Sequence, residues 1–280
     1  MRLPGGILSE GLINQAFSFK PVTGLLELSL SDKSFHANSH SARVSMVLSE
    51  AMESLGGEPV NLDKVKSLCV GDRQFLMRQL AVHIDDSLLW LTVQCYACSE
   101  LFDFSFRHSE LPVKPAGKNF PELVLQTKLG RLKVRVPTGL DQEIIAQADD
   151  DQQSLQQLLD CLVTPLSDYR QGNQYPGKHY PAEIVVQVEQ AIEDMSPEIV
   201  TEVQAQCPFC QADNKIPVSP YNCLERPVGE LFKEIHALAL HYHWSEQDIL
   251  ALPRSRRLTY LGLIDQSRDL YSSSKVFEVN

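Results

Sequence analysis

Two short cysteine motifs, Cys95-Tyr96-Ala97-Cys98 and Cys207-Pro208-Phe209-Cys210, constrain this chain more than any other feature. Each lies between two segments of strand character. LTVQ precedes the first pair and LFDFSF follows it; TEVQAQ precedes the second and NKIPV follows it. Both carry Val-Gln just before the turn, a weak internal repeat of one structural unit. Two thiolates three residues apart on a tight hairpin turn converge on one ion. Two such turns face to face supply four sulfurs at about 2.3 Å from a tetrahedral zinc. The 108 residues between Cys98 and Cys207 exceed what a local zinc finger spans. The expected site is therefore a split zinc ribbon, with structural Zn2+ on Cys95, Cys98, Cys207 and Cys210 and a long insertion between its halves.

The other uses of these cysteines fit less well. Seven cysteines is an odd count, and Met1–Gly6 lacks the apolar core of a secretory signal, so a disulfide framework is not expected. A thioredoxin-type pair opens a helix after a strand, whereas strands follow both pairs here. A redox-regulated holdase would need exposed, acidic thiols. Cys69, Cys161 and Cys223 read as small buried hydrophobes. Knuckles often carry glycine just after the second cysteine to relieve the turn; Ser99 and Gln211 stand there instead.

The net charge is −11, and residues 139–206 account for all of it, with thirteen acids against Arg170 and Lys178. The remainder is neutral. A generic polyanion binder would carry the opposite sign. The acidic stretch reads first as a solvated face and second as a docking face for a basic partner. Within it, Gln152–Val163 reads as a helix burying Leu155, Leu158, Leu159 and Leu162. A second helix from Pro181 presents Ile184, Val185, Val188, Ala191, Ile192 and Met195. Residues 165–181 read as an exposed loop.

Elsewhere, residues 1–41 look turn-rich with one strand at Leu25–Leu30. Ala42–Leu55 reads as a helix closed by Gly56-Gly57, and Leu62–Leu68 as a short one. A third helix opens at Gly71-Asp72-Arg73 with Asp72 as its N-cap. Leu88–Gln94 and Leu101–Phe106 read as strands. Lys128–Val136 alternates, with Leu132, Val134 and Val136 inward and Arg131, Lys133 and Arg135 outward. That fits a sheet edge protected by charge better than an anion contact, because no aromatic residues interleave with the bases. Strands at Ile199–Ala205 and Asn214–Val218 precede a helical C-terminal third. There Val228–Tyr242 places Leu231, Phe232, Ile235, Leu238 and Tyr242 on one face. Ser245–Asp248 has the form of a capping box, with Asp in place of the usual Glu or Gln, and starts a short helix; a last helix from Pro253 runs through Leu258, Leu261 and Ile264.

Catalytic signatures are missing from the sequence. It has no HExxH, no GxxxxGK[ST], no GxGxxG after a strand and no GxSxG. His236, His241 and His243 cluster, but not at the i, i+4 spacing that shares a helix face. A four-cysteine site with no open position does no chemistry on a substrate. The chain is not expected to be an enzyme.

Several segments together resemble a known family. They are Gly71-Asp72-Arg73 leading into the first hairpin, then, after the second, Leu231–Ala239, His241–Glu246, Ile249–Pro253, Arg256-Arg257 and Tyr260-Leu261. Residues 235–261, IHALALHYHWSEQDILALPRSRRLTYL, are the most specific part. The likeness is to baseplate-hub and tail-assembly accessory proteins of contractile-tailed phages and phage-tail-like contractile injection systems. It spans roughly residues 60–110 and 199–265. It implies a zinc-ribbon protein that acts in assembly or loading of an injection machine, and the four cysteines match that family's metal ligands. The resulting expectation is an α+β fold: a small antiparallel sheet with a split four-Cys zinc ribbon, an acidic helical insertion and a C-terminal helical unit. Its parts are 1–60, 61–137, 138–198 and 199–280.

The expected function is non-enzymatic: baseplate or hub assembly, or cargo loading, in the cytoplasm or within the particle. The partners would be protein components or cargo of that particle. Trp244, Arg254, Arg256 and Arg257 are candidate partner contacts, the arginines because they fall outside the apolar stripe. A zinc-ribbon nucleic-acid-binding or regulatory protein is the alternative. Membrane insertion is not expected, since no run approaches the roughly 18 apolar residues that a spanning helix needs.

Overall fold

A computed structural model of the 280-residue chain describes residues 1–35, 37–128, 130–147, 151–166, 180–221 and 228–274. The fold is α+β, built of helices and small antiparallel sheets. It divides into two compact units. One comprises Met1–Phe19 and Ala37–Cys223, the other Lys20–His36 and Leu224–Asn280.

The chain opens with a hairpin that the sequence reading takes for turns. β1 (Arg2–Ser9) pairs with β2 (Leu12–Phe19), Ser9 opposite Leu12. Glu10 and Gly11 between them have φ of 51° and 77°, the two left-handed residues of a type I′ turn. The Pro4-Gly5-Gly6 run disguises the first strand, whose register is irregular between Arg2 and Ile7. Next comes α1 (Gly24–Phe35), where the sequence predicts a strand. Leu26-Glu27-Leu28-Ser29-Leu30 alternates like one. Thr23 decides the matter, because its Oγ1 accepts the Leu26 N–H at 3.2 Å and its carbonyl the Glu27 N–H at 3.0 Å. Those bonds start a helix.

α2 (His40–Ala51) ends earlier than expected and passes straight into β3 (Met52–Leu55). Gly56-Gly57, with φ of 67° and 81°, is therefore not a helix cap. It turns β3 into β4 (Glu58–Pro59), and β3 joins β2 to complete a four-stranded sheet.

After α3 (Leu62–Ser67), α4 (Val70–Ile84) is capped by Cys69, whose sulfur accepts the Asp72 N–H at 3.4 Å. Asp72 is thus not the cap, and its carboxylate does longer-range work. It accepts the Gly5 and Gly6 N–H groups, each at 2.8 Å. Arg73 donates to Ser45 Oγ and to the carbonyls of Val65 and Ser41. Gly71 lies so close to the Pro197 carbonyl that a Cβ there would collide with it. All three residues are buried. Asp72 and Arg73 thus fasten the N-terminal hairpin and α2 with α3, and Gly71 leaves room for the segment before the second cysteine motif to pack against α4.

β5 (Leu89–Gln94) and β6 (Leu101–Phe106) form the first cysteine hairpin. A short β7 (Val113–Lys114) follows, then the hairpin of β8 (Glu122–Thr127) and β9 (Gly130–Arg135). Next are α5 (Gly139–Ile145), α6 (Asp151–Leu162), β10 (Val163–Pro165) and α7 (Ala182–Met195). β10 pairs with β9, so β9 is the central strand of three and not an edge. Its inward Leu132 and Val134, with Val136 just beyond its end, form one core with Leu159, Leu162, Ile184, Val188 and Met195. The two apolar stripes of the acidic segment are spent on this sheet. Leu155, predicted inside, is 46% exposed. The predicted loop at 165–181 lies almost wholly outside the described residues, as does Cys223.

β11 (Glu198–Ile199) pairs back onto β7, Ile199 opposite Val113. This pairing closes the long excursion between the cysteine motifs. β12 (Glu202–Gln206) and β13 (Asp213–Pro217) make the second cysteine hairpin.

In the other unit, α8 (Val228–Tyr242), α9 (Glu246–Ala251) and α10 (Arg254–Ser274) pack with α1. Leu231, Ile235, Leu238, Ile249, Leu250 and Ile264 are its core. Ser245 caps α9 as its sequence predicts, accepting the Asp248 N–H. Phe232 and Leu258, predicted on the apolar stripes, are about half exposed.

Candidate metal centre

The two CxxC turns are built alike from the backbone up. The Cys95 N–H donates to Glu100 O and the Ser99 N–H to Cys95 O, both at 2.9 Å. The Cys207 N–H donates to Ala212 O and the Gln211 N–H to Cys207 O, again at 2.9 Å. Each turn leaves its last residue left-handed, Ser99 at φ 63° and Gln211 at φ 61°. These are the positions where glycine was missed in the sequence. The glutamine before each motif braces the turn: Gln94 Nε2 donates to Ser99 O at 3.3 Å, and Gln206 Nε2 to Gln211 O at 3.2 Å. The structural repeat therefore matches Val93-Gln94 with Ala205-Gln206. The Val203-Gln204 dipeptide sits two residues too early to be the counterpart.

The hairpins join through their inner faces. Phe106, Leu111 and Val218 form one small core with Leu89, Leu91, Phe104 and Val203 around it. Cys95, Phe102 and Cys207 form a second with Val93, Ala205 and Ala212. Alternation along the strands puts every other residue on this inner side, and the cysteines end up where the two inner faces meet.

All four cysteines are free thiols. Cys95 Sγ lies 3.6 Å from Cys210 Sγ and Cys98 Sγ 3.8 Å from Cys207 Sγ. The four sulfurs lie within 4.8 Å of one another. A disulfide would need about 2.05 Å. Four ligands at about 2.3 Å from a tetrahedral ion are about 3.8 Å apart, which is close to the spacing found. The first cysteine of each motif is buried, Cys98 is intermediate and Cys210 is exposed. The four cysteines could hold a metal ion.

The electrostatics of the quartet favour binding a cation. The Cys98 N–H, then the Ala97 N–H, with help from Cys210 and Asn214, outweigh burial and bring the Cys95 thiol down to about 6. At Cys98 the Glu100 N–H favours the thiolate, but desolvation and the sulfurs of Cys210, Cys95 and Cys207 prevail and push it up to about 12. Cys210 is raised too; the Ala212 N–H and the Cys98 thiol oppose this, and partial desolvation of this exposed thiol, with the sulfurs of Cys95 and Cys207, overcomes them. Sulfurs this close cannot all ionise without a counter-charge, and a divalent cation supplies it.

One residue at this site escapes sequence reasoning. Asn214 on β13 is 3% exposed. Its Oδ1 accepts the Tyr96 N–H at 3.1 Å, and its Nδ2 lies 3.7 Å from Cys95 Sγ. Nothing in an Asn four residues past a cysteine announces this, because the contact crosses 118 residues of chain.

The four candidate partner residues have different fates. Trp244 stacks on Tyr242, with ring centroids 4.8 Å apart, and meets Tyr260 edge-on at 4.9 Å, within its own unit. Arg257 does not face outward. It is fully buried, with Nε on Glu234 at 3.0 Å, Nη2 on Glu27 at 2.9 Å and Nη1 on the Leu252 carbonyl. Arg254 is nearly buried beside the same two acids. Lying off the apolar stripe did not expose these arginines, because two acids of the same unit wait there. Arg256 is exposed. On β9, Lys133 pairs with Glu122, and Arg135 makes a bidentate pair with Asp141 at 2.7 Å for both bonds.

No family model, curated protein or solved structure matches this chain. Among the described residues no helix is long and apolar enough to cross a membrane.

Proposed function

We propose that the protein is a non-enzymatic assembly protein folded around one structural zinc ion on Cys95, Cys98, Cys207 and Cys210. Its setting, in this reading, is a phage-tail-like contractile injection particle, in baseplate or hub assembly or in cargo loading. The observation that carries the first part is the sulfur quartet, four protein donors within 4.8 Å of one another, with two of the spacings, 3.6 and 3.8 Å, near the edge of a zinc-centred tetrahedron. Thiolate donors favour zinc over magnesium or calcium. Four protein ligands fill the shell, so the ion holds the hairpins together and has no place for a substrate.

The particle setting rests on the resemblance of residues 235–261. That block supplies the second half of α8, all of α9 and the start of α10. The nucleic-acid alternative is weaker, because Lys133 and Arg135 on β9 are paired with acids of the same unit and the net charge is −11.

Elemental analysis of protein purified without added metal, thiols reduced, should find one zinc per chain; less than about a tenth of an equivalent overturns the zinc centre. For the setting, the gene is deleted in the organism that carries it, and particles are counted by electron microscopy. Loss of complete or loaded particles is expected. Unchanged particles with unchanged cargo overturn the assembly role.

A further inference from the structure

We infer that Asn214 couples the two halves of the metal centre, its carboxamide gripping the first knuckle from the second hairpin and donating to the Cys95 sulfur. The inference rests on reading the four cysteines as a metal centre. Cys95 and Cys98 belong to one hairpin and Cys207 and Cys210 to another, and the two hairpins share no strand pairing. Apolar packing holds them face to face but is non-directional. It does not by itself fix the sulfurs to a fraction of an ångström.

Asn214 supplies direction. It stands on β13 opposite Ala205, in the row that faces the other hairpin. A buried carboxamide must find partners, and this one finds them on both sides of the joint. One Nδ2 hydrogen goes to the Ala212 carbonyl of its own turn at 2.9 Å. The other is directed at Cys95 Sγ at 3.7 Å, and Oδ1 takes the Tyr96 N–H at 3.1 Å. The amide is thereby fixed to its own knuckle by one bond and to the opposite knuckle by two. The corresponding position of the first hairpin, four residues past its second cysteine, is Phe102, an apolar residue in the same small core. The tie is therefore one-sided: the second hairpin orients the first. Groups of this kind, hydrogen-bonded to a ligand and not to the metal, change metal affinity by about 10–100-fold.

Asn214→Leu removes both cross-hairpin bonds. Asn214→Asp keeps the shape and the acceptor for Tyr96 but loses the donor to sulfur. Zinc affinity is read by chelator competition, and the cobalt(II)-substituted protein reports the sulfur-to-metal charge-transfer band. Both variants should hold zinc about 10–100-fold less tightly. In both, the band should move to lower energy, because the Cys95 sulfur loses a hydrogen bond that stabilised its lone pairs. Phe102→Leu trims the same core without touching that bond and should leave the band in place, which separates a bond to sulfur from simple packing. If Asn214→Leu does not fold, Asn214→Asp decides. A folded variant with zinc affinity within about twofold of wild type and an unmoved band overturns the role of Asn214. Wild-type protein that takes up neither zinc nor cobalt with its thiols reduced overturns the metal centre itself, and this inference with it.

Discussion

The knuckle backbone makes a quantitative prediction at Ser99 and Gln211. Both have left-handed φ, 63° and 61°. For an L residue with a Cβ this conformation costs about 1–2 kcal/mol. Both residues are exposed, and the bonds that shape each turn come from their N–H and C=O groups, which glycine retains. Substitution by glycine removes the strain but gives the unfolded chain more freedom, worth about 0.4–1 kcal/mol. The net gain is about 0.5–1 kcal/mol per site. Ser99→Val should do the reverse and lose at least about 1 kcal/mol, because a β-branched side chain tolerates positive φ least. The assay is denaturant unfolding at a buffered free zinc concentration, since binding energy at such a site is folding energy. Ser99→Gly and Gln211→Gly should raise the midpoint at unchanged slope. If both glycine variants are neutral or destabilising while Ser99→Val is silent, the turns are not left-handed at these positions. The strain argument then fails.

Other outcomes follow from the same geometry. Arg257→Met leaves Glu27 and Glu234 with Arg254, 3.6 and 3.7 Å away, as their remaining counter-charge, and should cost about 3 kcal/mol, the low end for a broken buried pair, read as a lower melting temperature. Gly71→Ala drives a methyl group into the Pro197 carbonyl and should destabilise the unit that carries it, whereas Gly262→Ala, with open space around it in α10, should stabilise by about 1 kcal/mol. For pH, His108 is held below its usual value of 6.5 by burial and then by Arg78, against Asp86, and His40 is lowered by burial, Arg43 and Arg73. The unfolded chain takes up protons at these histidines before the folded one does, so their effect is absent above about pH 6.5 and stability falls as the pH drops below it, down to the lowered folded values. His108→Phe should flatten that slope in unfolding curves between pH 7 and 5; an unchanged slope refutes the assignment.

The residue pattern by itself determines a good deal of this fold. The CxxC spacing between strands located the two cysteine turns, because each turn is local: three residues on a hairpin leave its pair of thiols little choice. The period-3.6 stripes of α7 and α8 and the capping box at Ser245 were equally legible, since each lies within one element. A local signal with two meanings leaves the element open. Leu26–Leu30 alternates like a strand but follows a capping threonine. Gly56-Gly57 suits a helix end or a hairpin turn equally well, and only β2 lying alongside β3 chose the turn. Arg254 and Arg257 look like surface charges until Glu27, more than two hundred residues away, arrives beside them. Asn214 becomes a partner of Cys95 only when two hairpins built far apart in sequence are packed face to face. Sequence periodicity records how each element meets an apolar neighbour, but not which neighbour. Ion pairs, buried amides and the meeting of four sulfurs depend on that choice, and tertiary packing makes it.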